Sequence, residues 1–446
     1  MHKFYKIAAG RALRTHLPIH AGANVYLPRS FNQLFKYDLS EITGLDDLHN
    51  PSGFIKQAQA EAAELFLVEH SFFSVNGASA CLMAACLALG EGGKVLVPVN
   101  AHKSIIAGLL LSGADPIWYE PDWDAEWGVY RDINPEKIAD LLKRHKNIKG
   151  CFITSPTYEG IRPQNLSEII SLCQQAEVPT IVDESHGAHL SLLYEGLGGI
   201  NACADIIVHS PHKSLGALTQ TGLLHIQSEL ISPQKIASAL SLLQTTSPSF
   251  LLILSLVQTL KSLKQSLSPL KKQMWLAQEF KDRLSKMPEI QLVKNDDPTR
   301  LLLAVKGWSG VALSEWLWKN HQIETELEHN NCVLFLIGLG AKWHQLKALQ
   351  KALKLAQTSP EKDNYKTKLQ VKPQMLLCKN NPREAYLKSN GEEKIVFKCP
   401  PGVPSQIPGC ELPLSLVYSK KANTNPYFEE DFAEDPEDSL YAEEFA

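Results

Sequence analysis

The chain lacks the marks of several common functional classes. Its nine cysteines are scattered, with no Cys-x-x-Cys pair. That pattern speaks against a zinc ribbon or a disulfide frame and for reduced, cytoplasmic thiols. No apolar run approaches the roughly 20 residues of a membrane helix, and no long apolar core follows Met1–Lys6 as it would in a signal peptide. The chain has no Gly-x-Gly-x-x-Gly turn, no Walker loop and no Gly-x-Ser-x-Gly elbow, which removes the usual dinucleotide, nucleotide and serine-hydrolase signatures. Dense basic clusters are missing too. Net charge is −4, and residues 422–446 hold nine acids and no Lys or Arg, so residues 1–421 carry +5. Neither a nucleic-acid nor a membrane partner is expected from that balance.

What the chain does have is length and an alternating pattern. Its 446 residues, 44% of them hydrophobic, suffice for one large core and a smaller one. Seven short apolar, β-branched runs fall between residues 70 and 230: Phe72–Val75, Lys94–Val99, Pro116–Glu120, Gly150–Ser155, Pro179–Asp183, Asp205–His209 and Gly222–Ile226. Helical stretches such as Ser79–Leu89, Pro135–Arg144 and Leu166–Ala176 separate them. Alternation of this kind predicts an α/β fold with a mostly parallel seven-stranded sheet covered by helices on both faces. The divisions expected are an N-terminal arm and interface segment (1–70), a large domain (71–288), a small α+β domain (289–357), a Pro/Gly-rich module (373–418) and an acidic disordered tail (422–446).

Ligands of such sheets bind beyond the carboxyl ends of the strands, and the chemically interesting residues fall there. Asp183 ends one buried run in Asp183-Glu184-Ser185-His186-Gly187-Ala188-His189. Lys213 follows the next in His209-Ser210-Pro211-His212-Lys213-Ser214. A carboxylate and an amine so placed suit pyridoxal phosphate: the amine forms a Schiff base with the aldehyde, and the carboxylate keeps the ring nitrogen protonated. The bland reading is a strand-end acid and a solvated lysine. Asn76-Gly77-Ala78-Ser79 joins a strand to a helix whose N-terminus offers N–H groups to a phosphate; alternatively Ser79 is a plain helix cap. His102 can stack on a ring and move protons, or be a solvated loop histidine. Thr157, in Ser155–Gly160, can bond a ring hydroxyl, or sit in an ordinary turn. Ser210 and His212 can donate to phosphate. His186 and His189 with Asp183 raise a metal site as an alternative, but one short loop supplies few ligands. No metal is expected.

These residues resemble the Orn/Lys/Arg decarboxylases, pyridoxal-phosphate enzymes of the aspartate-aminotransferase fold (fold type I). His16-Leu17-Pro18-Ile19-His20, the blocks Asp38–Glu41 and Gly44–Pro51, Ser155–Gly160, Asp183–His189, Ser210–Gln220, Thr246–Phe250, Asp297-Pro298-Thr299 and the proline-rich Cys399–Gly409 carry the resemblance, which spans about residues 12–412. It implies a short form without an N-terminal receiver-like domain. It assigns Lys213 as the Schiff-base lysine, Asp183 as the partner of the ring nitrogen, and His102 as the stacking residue. Ala78, Ser79, Thr157, His186, Ser210 and His212 complete the implied cofactor contacts, with His212 or Lys213 as the acid that protonates Cα. Ile19, Ala78, Ser185 and Val257 depart from the family pattern. The activity implied is decarboxylation of lysine, ornithine or arginine by a homodimer or an assembly of dimers. Alternatives are another pyridoxal-phosphate reaction, such as an aminotransferase or an aldol-type lyase, and a non-catalytic polyamine-pathway regulator.

Overall fold

A computed structural model describes residues 13–363 except 24–25, 43–44 and 195–196, together with residues 6, 10, 366, 383, 396–397 and 404–406. The seven expected runs all become strands: β1 (His70–Ser74), β2 (Lys94–Pro98), β3 (Asp115–Tyr119), β4 (Ile148–Thr154), β5 (Thr180–Asp183), β6 (Ile206–His209) and β7 (Gly222–Ile226). They form one sheet in the order β1-β7-β6-β5-β4-β2-β3. Only β7 runs antiparallel to its neighbours, β1 and β6. The central strands β5, β6 and β7 are buried along their whole length, as a sheet covered on both sides requires.

The covering helices explain that burial. On one face α1 (Phe54–Phe66) packs with the later helices against Phe73, Ile153, Val182 and Ile207. On the other, α2 (Gly77–Ala88) and α3 (Lys103–Ser112) cover Val97, Phe152, Ile181 and Val208. The alternation of strand residues between the two clusters follows from the two-residue repeat of a strand. Helix α4 (Pro135–Arg144) shows why its ends were readable from sequence. Asn134 Oδ1 accepts from Glu136 N at 2.8 Å, Pro135 opens the first turn, and Lys143 and Arg144 close the last.

Beyond α5 (Leu166–Gln175), α6 (Ala188–Leu193) and the single turn α7 (Pro211–Ser214), three longer helices run in series: α8 (Pro233–Leu243), α9 (Phe250–Gln265) and α10 (Ser268–Leu284). A second, antiparallel sheet of four strands follows: β8 (Ile290–Leu292), β9 (Arg300–Val305), β10 (Leu327–Glu328) and β11 (Val333–Leu336), ordered β8-β9-β11-β10. Helices α11 (Gly310–His321) and α12 (Trp343–Thr358) pack on it through Leu317, Leu349 and Leu353. Strands β8 and β10, helix α12 and a hairpin pairing Trp123–Asp124 with Val129–Tyr130 add to the elements expected from sequence. Most of the 373–418 module, including the Cys399–Gly409 block apart from residues 404–406, and all of the 422–446 tail lie outside the described residues.

Candidate active site

Six parallel strands end on one edge of the sheet, and antiparallel β7 begins there. A cavity of about 370 Å³ opens at that edge. The loop after β1 brings Asn76, Gly77, Ala78 and Ser79; the loop after β2 brings Asn100 and His102; β4 ends in Thr154, Pro156 and Tyr158. Asp183 closes β5, followed by Ser185 and His186, and Ser210, His212 and Lys213 follow β6. Thr219 and Gln220 arrive just before β7. Topology thus gathers residues far apart in sequence into one pocket.

Of the residues singled out in the sequence, Ala78, Ser79, His102, Asp183, His186, Ser210, His212 and Lys213 line this cavity, and Thr157 does not. Thr157 is turned into its own loop: its N–H donates to Ile161 O at 2.8 Å, and its hydroxyl accepts from Ile161 N at 3.4 Å. Its neighbour Tyr158 faces the cavity instead. The expected hydroxyl contact from Thr157 is therefore revised, because the turn rotates that side chain inward.

Helix α2 meets the cavity with its N-terminus. Its cap position is Asn76, whose side chain makes no capping bond, and Ser79 sits inside the first turn rather than capping it. Gly77 has φ +73° and donates to Gln220 O at 2.7 Å. Gly222 allows this approach: a Cβ there would lie 2.7 Å from Gly77 C and 2.9 Å from Ala78 N. First-turn N–H groups beside Ser79, Ser210 and Thr219 make an anion cradle. Thr154 Oγ1 and Asn100 Oδ1, both on lining residues, are buried without a hydrogen bond. Groups of this kind need a partner, and a polar ligand fits them.

Asp183 is buried, and both bonds it accepts fall on Oδ1, from Ser185 N at 3.2 Å and Ser185 Oγ at 2.5 Å. Oδ2 is left for a cationic N–H. His102 caps α3, accepting from Ser104 N at 3.2 Å on Nδ1. Burial pushes its pKa down, with the Asp183 charge working against that shift, so the neutral ring carries its proton on Nε2. His212 is oriented in the opposite sense. Its Nδ1 lies 3.0 Å from the Thr221 carbonyl, which can only accept, so Nδ1 holds the proton. Burial lowers its pKa although the carbonyl bond opposes this. Its other ring nitrogen, Nε2, is left for the cavity that His212 lines.

Lys213 Nζ lies 2.9 Å from His186 Nε2, and the His186 ring packs at 4.5 Å from that of Tyr158. Sequence reasoning missed two contributors here. Tyr158 was passed over for Thr157, and Arg300, the first residue of β9, reaches back to place a guanidinium nitrogen 3.1 Å from His186 Nδ1. The only signal for Arg300 was its place after Asp297-Pro298-Thr299. His189, weighed above as a metal ligand, instead pairs with buried Asp297 at 3.1 Å. Among the described residues no set of three or more His, Cys, Asp or Glu side chains is grouped to hold a metal.

Comparison with known proteins fits this geometry. A family model described as "Orn/Lys/Arg decarboxylase, major domain" matches residues 11–302. The chain is 35% identical over 438 residues to an arginine decarboxylase of Bacillus subtilis (strain 168), covering 91% of this chain and 89% of the relative. It is 33% identical to an arginine decarboxylase of Halalkalibacterium halodurans, covering 88% of this chain and 87% of that one. Among solved structures, the lysine decarboxylase LdcF of Francisella novicida superposes with a TM-score of 0.75 at 18% identity, over 93% of this chain and 75% of that one.

Proposed function

The chain belongs to the Orn/Lys/Arg decarboxylase family, and from that premise we propose that it uses pyridoxal phosphate to remove CO2 from a basic L-amino acid, arginine foremost. The fold is the type I pyridoxal-phosphate transferase fold, and the chain is a decarboxylase. One observation carries the reading: Asp183, Lys213 and the N-terminus of α2 converge on a single cavity whose donors suit each part of that cofactor. Arginine ranks first because four relatives matched along nearly nine-tenths of both chains are arginine decarboxylases.

When bound, pyridoxal phosphate supplies a pyridinium ring that takes up the electron pair left as the Cα–carboxylate bond breaks. The rest falls to the protein. The Ala78 and Ser79 N–H groups, with Ser79, Ser210 and Thr219, hold the phosphate. Asp183 would pair through Oδ2 with the ring nitrogen and keep it protonated, while Ser185 fixes the carboxylate through Oδ1. His102, anchored by Ser104, would cover a ring face. Lys213 would supply the amine that links to the aldehyde, and once released could carry the proton for Cα. Leu82, Pro156 and Tyr158 supply apolar surface on the cavity wall.

The same reading includes a homodimer in the cytoplasm. Between residues 13 and 37, Leu13, Ile19 and Tyr26 are each at least 90% exposed, an apolar load that a second copy would cover. Among the described residues no helix is long and apolar enough to cross a membrane. Borohydride reduction and peptide mapping test the assignment: the reduced cofactor should be found on Lys213. A cofactor fixed to a different lysine would overturn it. Light scattering showing an active monomer would remove the dimer.

A further inference from the structure

Arg300 stands outside the cavity lining, yet it controls a hydrogen-bond chain that ends on the lysine. Its side chain is buried. It is held by Asp297, whose Oδ2 lies 3.6 Å from Arg300 Nε. Asp297 is in turn fixed by His189 at 3.1 Å and by the Thr299 hydroxyl at 2.7 Å. The guanidinium therefore has little freedom, and it places a nitrogen 3.1 Å from His186 Nδ1. On the far side of the same ring, Nε2 lies 2.9 Å from Lys213 Nζ.

The direction of these bonds follows from chemistry. A guanidinium has donors only, so His186 Nδ1 accepts. A neutral imidazole that accepts at Nδ1 carries its hydrogen on Nε2. That N–H points at Lys213 Nζ, and the only role left for Nζ in this bond is acceptor, which an ammonium cannot fill. A doubly protonated His186 would set N–H against N–H toward Arg300. Burial first, and the Arg300 charge with it, push the His186 pKa well below its ordinary value.

We propose that Arg300 is a positioning residue that fixes the His186 tautomer, and that His186 thereby holds the Lys213 side chain as a neutral amine before the cofactor is joined to it. This rests on the reading of Lys213 as the cofactor lysine, and extends it. Only a neutral amine has the lone pair that attacks an aldehyde carbon, forming the C–N bond as water leaves. Other groups face the same space. Asp183, the one carboxylate among the described lining residues, favours the ammonium, while burial lowers the pKa of His102 and of His212, which also line the cavity, and Tyr158 packs on His186. The chain from Arg300 offsets Asp183 without bringing a second positive charge into the pocket.

The test uses the full-length protein, freed of cofactor with hydroxylamine and dialysis. Pyridoxal phosphate is added across pH 6–10, the adduct is trapped with borohydride, and the fraction on Lys213 is read by peptide mass spectrometry. His186→Phe keeps the ring but loses Nε2–H without changing charge, and should raise the midpoint pH by about one unit, equal to about a tenfold change in reactive amine near neutrality. His186→Gln offers an acceptor to Arg300 and a donor to Lys213, and should restore the wild-type profile. Arg300→Met should raise the midpoint in the wild-type background and much less in the His186→Phe background. A wild-type midpoint in His186→Phe would overturn the proposal. So would an equal Arg300→Met shift in both backgrounds, which would mean that the guanidinium charge acts on Lys213 directly. If Arg300→Met does not fold, the two His186 variants decide the matter. Absence of any adduct on Lys213 in the wild type would instead sink the functional reading, and this inference with it.

Discussion

Gly222→Ala probes how closely the start of α2 must approach β7. Gly222 pairs with Ser74 in the register of β1 and β7, and the Gly77–Ala78 backbone crosses directly over its missing side chain. An alanine Cβ would sit 2.7 Å from Gly77 C, 2.8 Å from Gly77 O and 2.9 Å from Ala78 N. Ordinary carbon contacts begin near about 3.5 Å, so the α2 N-terminus must retreat by about 0.8 Å. None of the clashing atoms belongs to a flexible side chain that can swing away. Overpacking of this kind costs about 1–3 kcal/mol. If the displacement falls on the anion cradle, cofactor binding weakens by about tenfold for each 1.4 kcal/mol, which gives about 5- to 140-fold here. Absorbance titration with pyridoxal phosphate reads the affinity, and thermal melting of the cofactor-free protein reads the fold. Gly77→Ala is the contrasting variant: its Cβ would meet only Gln220 O, at 4.0 Å, and its penalty comes from φ +73°, about 1–2 kcal/mol. A Gly222→Ala protein with unchanged affinity and melting temperature would refute the claim that this close approach builds the cradle.

Three other outcomes follow from the site and the core. Asp183→Asn should lower turnover about 100-fold or more, the cost typical of losing one electrostatic partner, while cofactor retention in gel filtration changes little; a rate near wild type would remove Asp183 from its role. Glu184 is buried between His209 Nε2, at 3.2 Å, and Gly199 N, and burial raises its pKa to about 8. The folded state therefore keeps this proton after the unfolded chain, whose glutamates titrate near about 4.3, has lost it. Stability should fall as pH rises from about 4.5 to 8, and Glu184→Gln should flatten that fall in melts taken at pH 6 and 8; an unchanged slope would show that another group is responsible. A chain ending at Lys421 should keep turnover within about twofold of full length, because the described residues that line the cavity all lie between positions 76 and 220; a large change in KM would assign the tail to the working enzyme.

Much of the fold could be read directly because its signals are local. Runs such as Ile181-Val182 and Ile206-Ile207-Val208 are buried on both sheet faces, and their β-branched, uninterrupted character survives without any tertiary information. Boundaries slipped by one or two residues where chain ends fray. The hairpin at Trp123–Asp124 and Val129–Tyr130 was invisible, since two-residue strands carry no period. The active-site loops were legible because parallel strands send their carboxyl ends to one edge. What failed was side-chain direction and distance. A turn decides whether Thr157 or Tyr158 faces the cavity, and no local pattern announces it. The Thr221 carbonyl that sets the His212 tautomer lies nine residues further on in the same β6–β7 connection, and only the folded connection brings the two together. Arg300 enters from the second sheet, so its contact with His186 exists only once both sheets are packed.

The central claim is decarboxylation on a cofactor held by Lys213, and it is tested most directly by mass balance. Purified protein with pyridoxal phosphate is incubated separately with carboxyl-labelled arginine, lysine and ornithine, and labelled CO2 and the remaining products are measured by mass spectrometry. The account predicts one CO2 released for each amine formed, fastest from arginine to give agmatine, and abolished in Lys213→Ala. Conversion of any of the three to a keto acid with the label retained, or release of CO2 undiminished in Lys213→Ala, would contradict it.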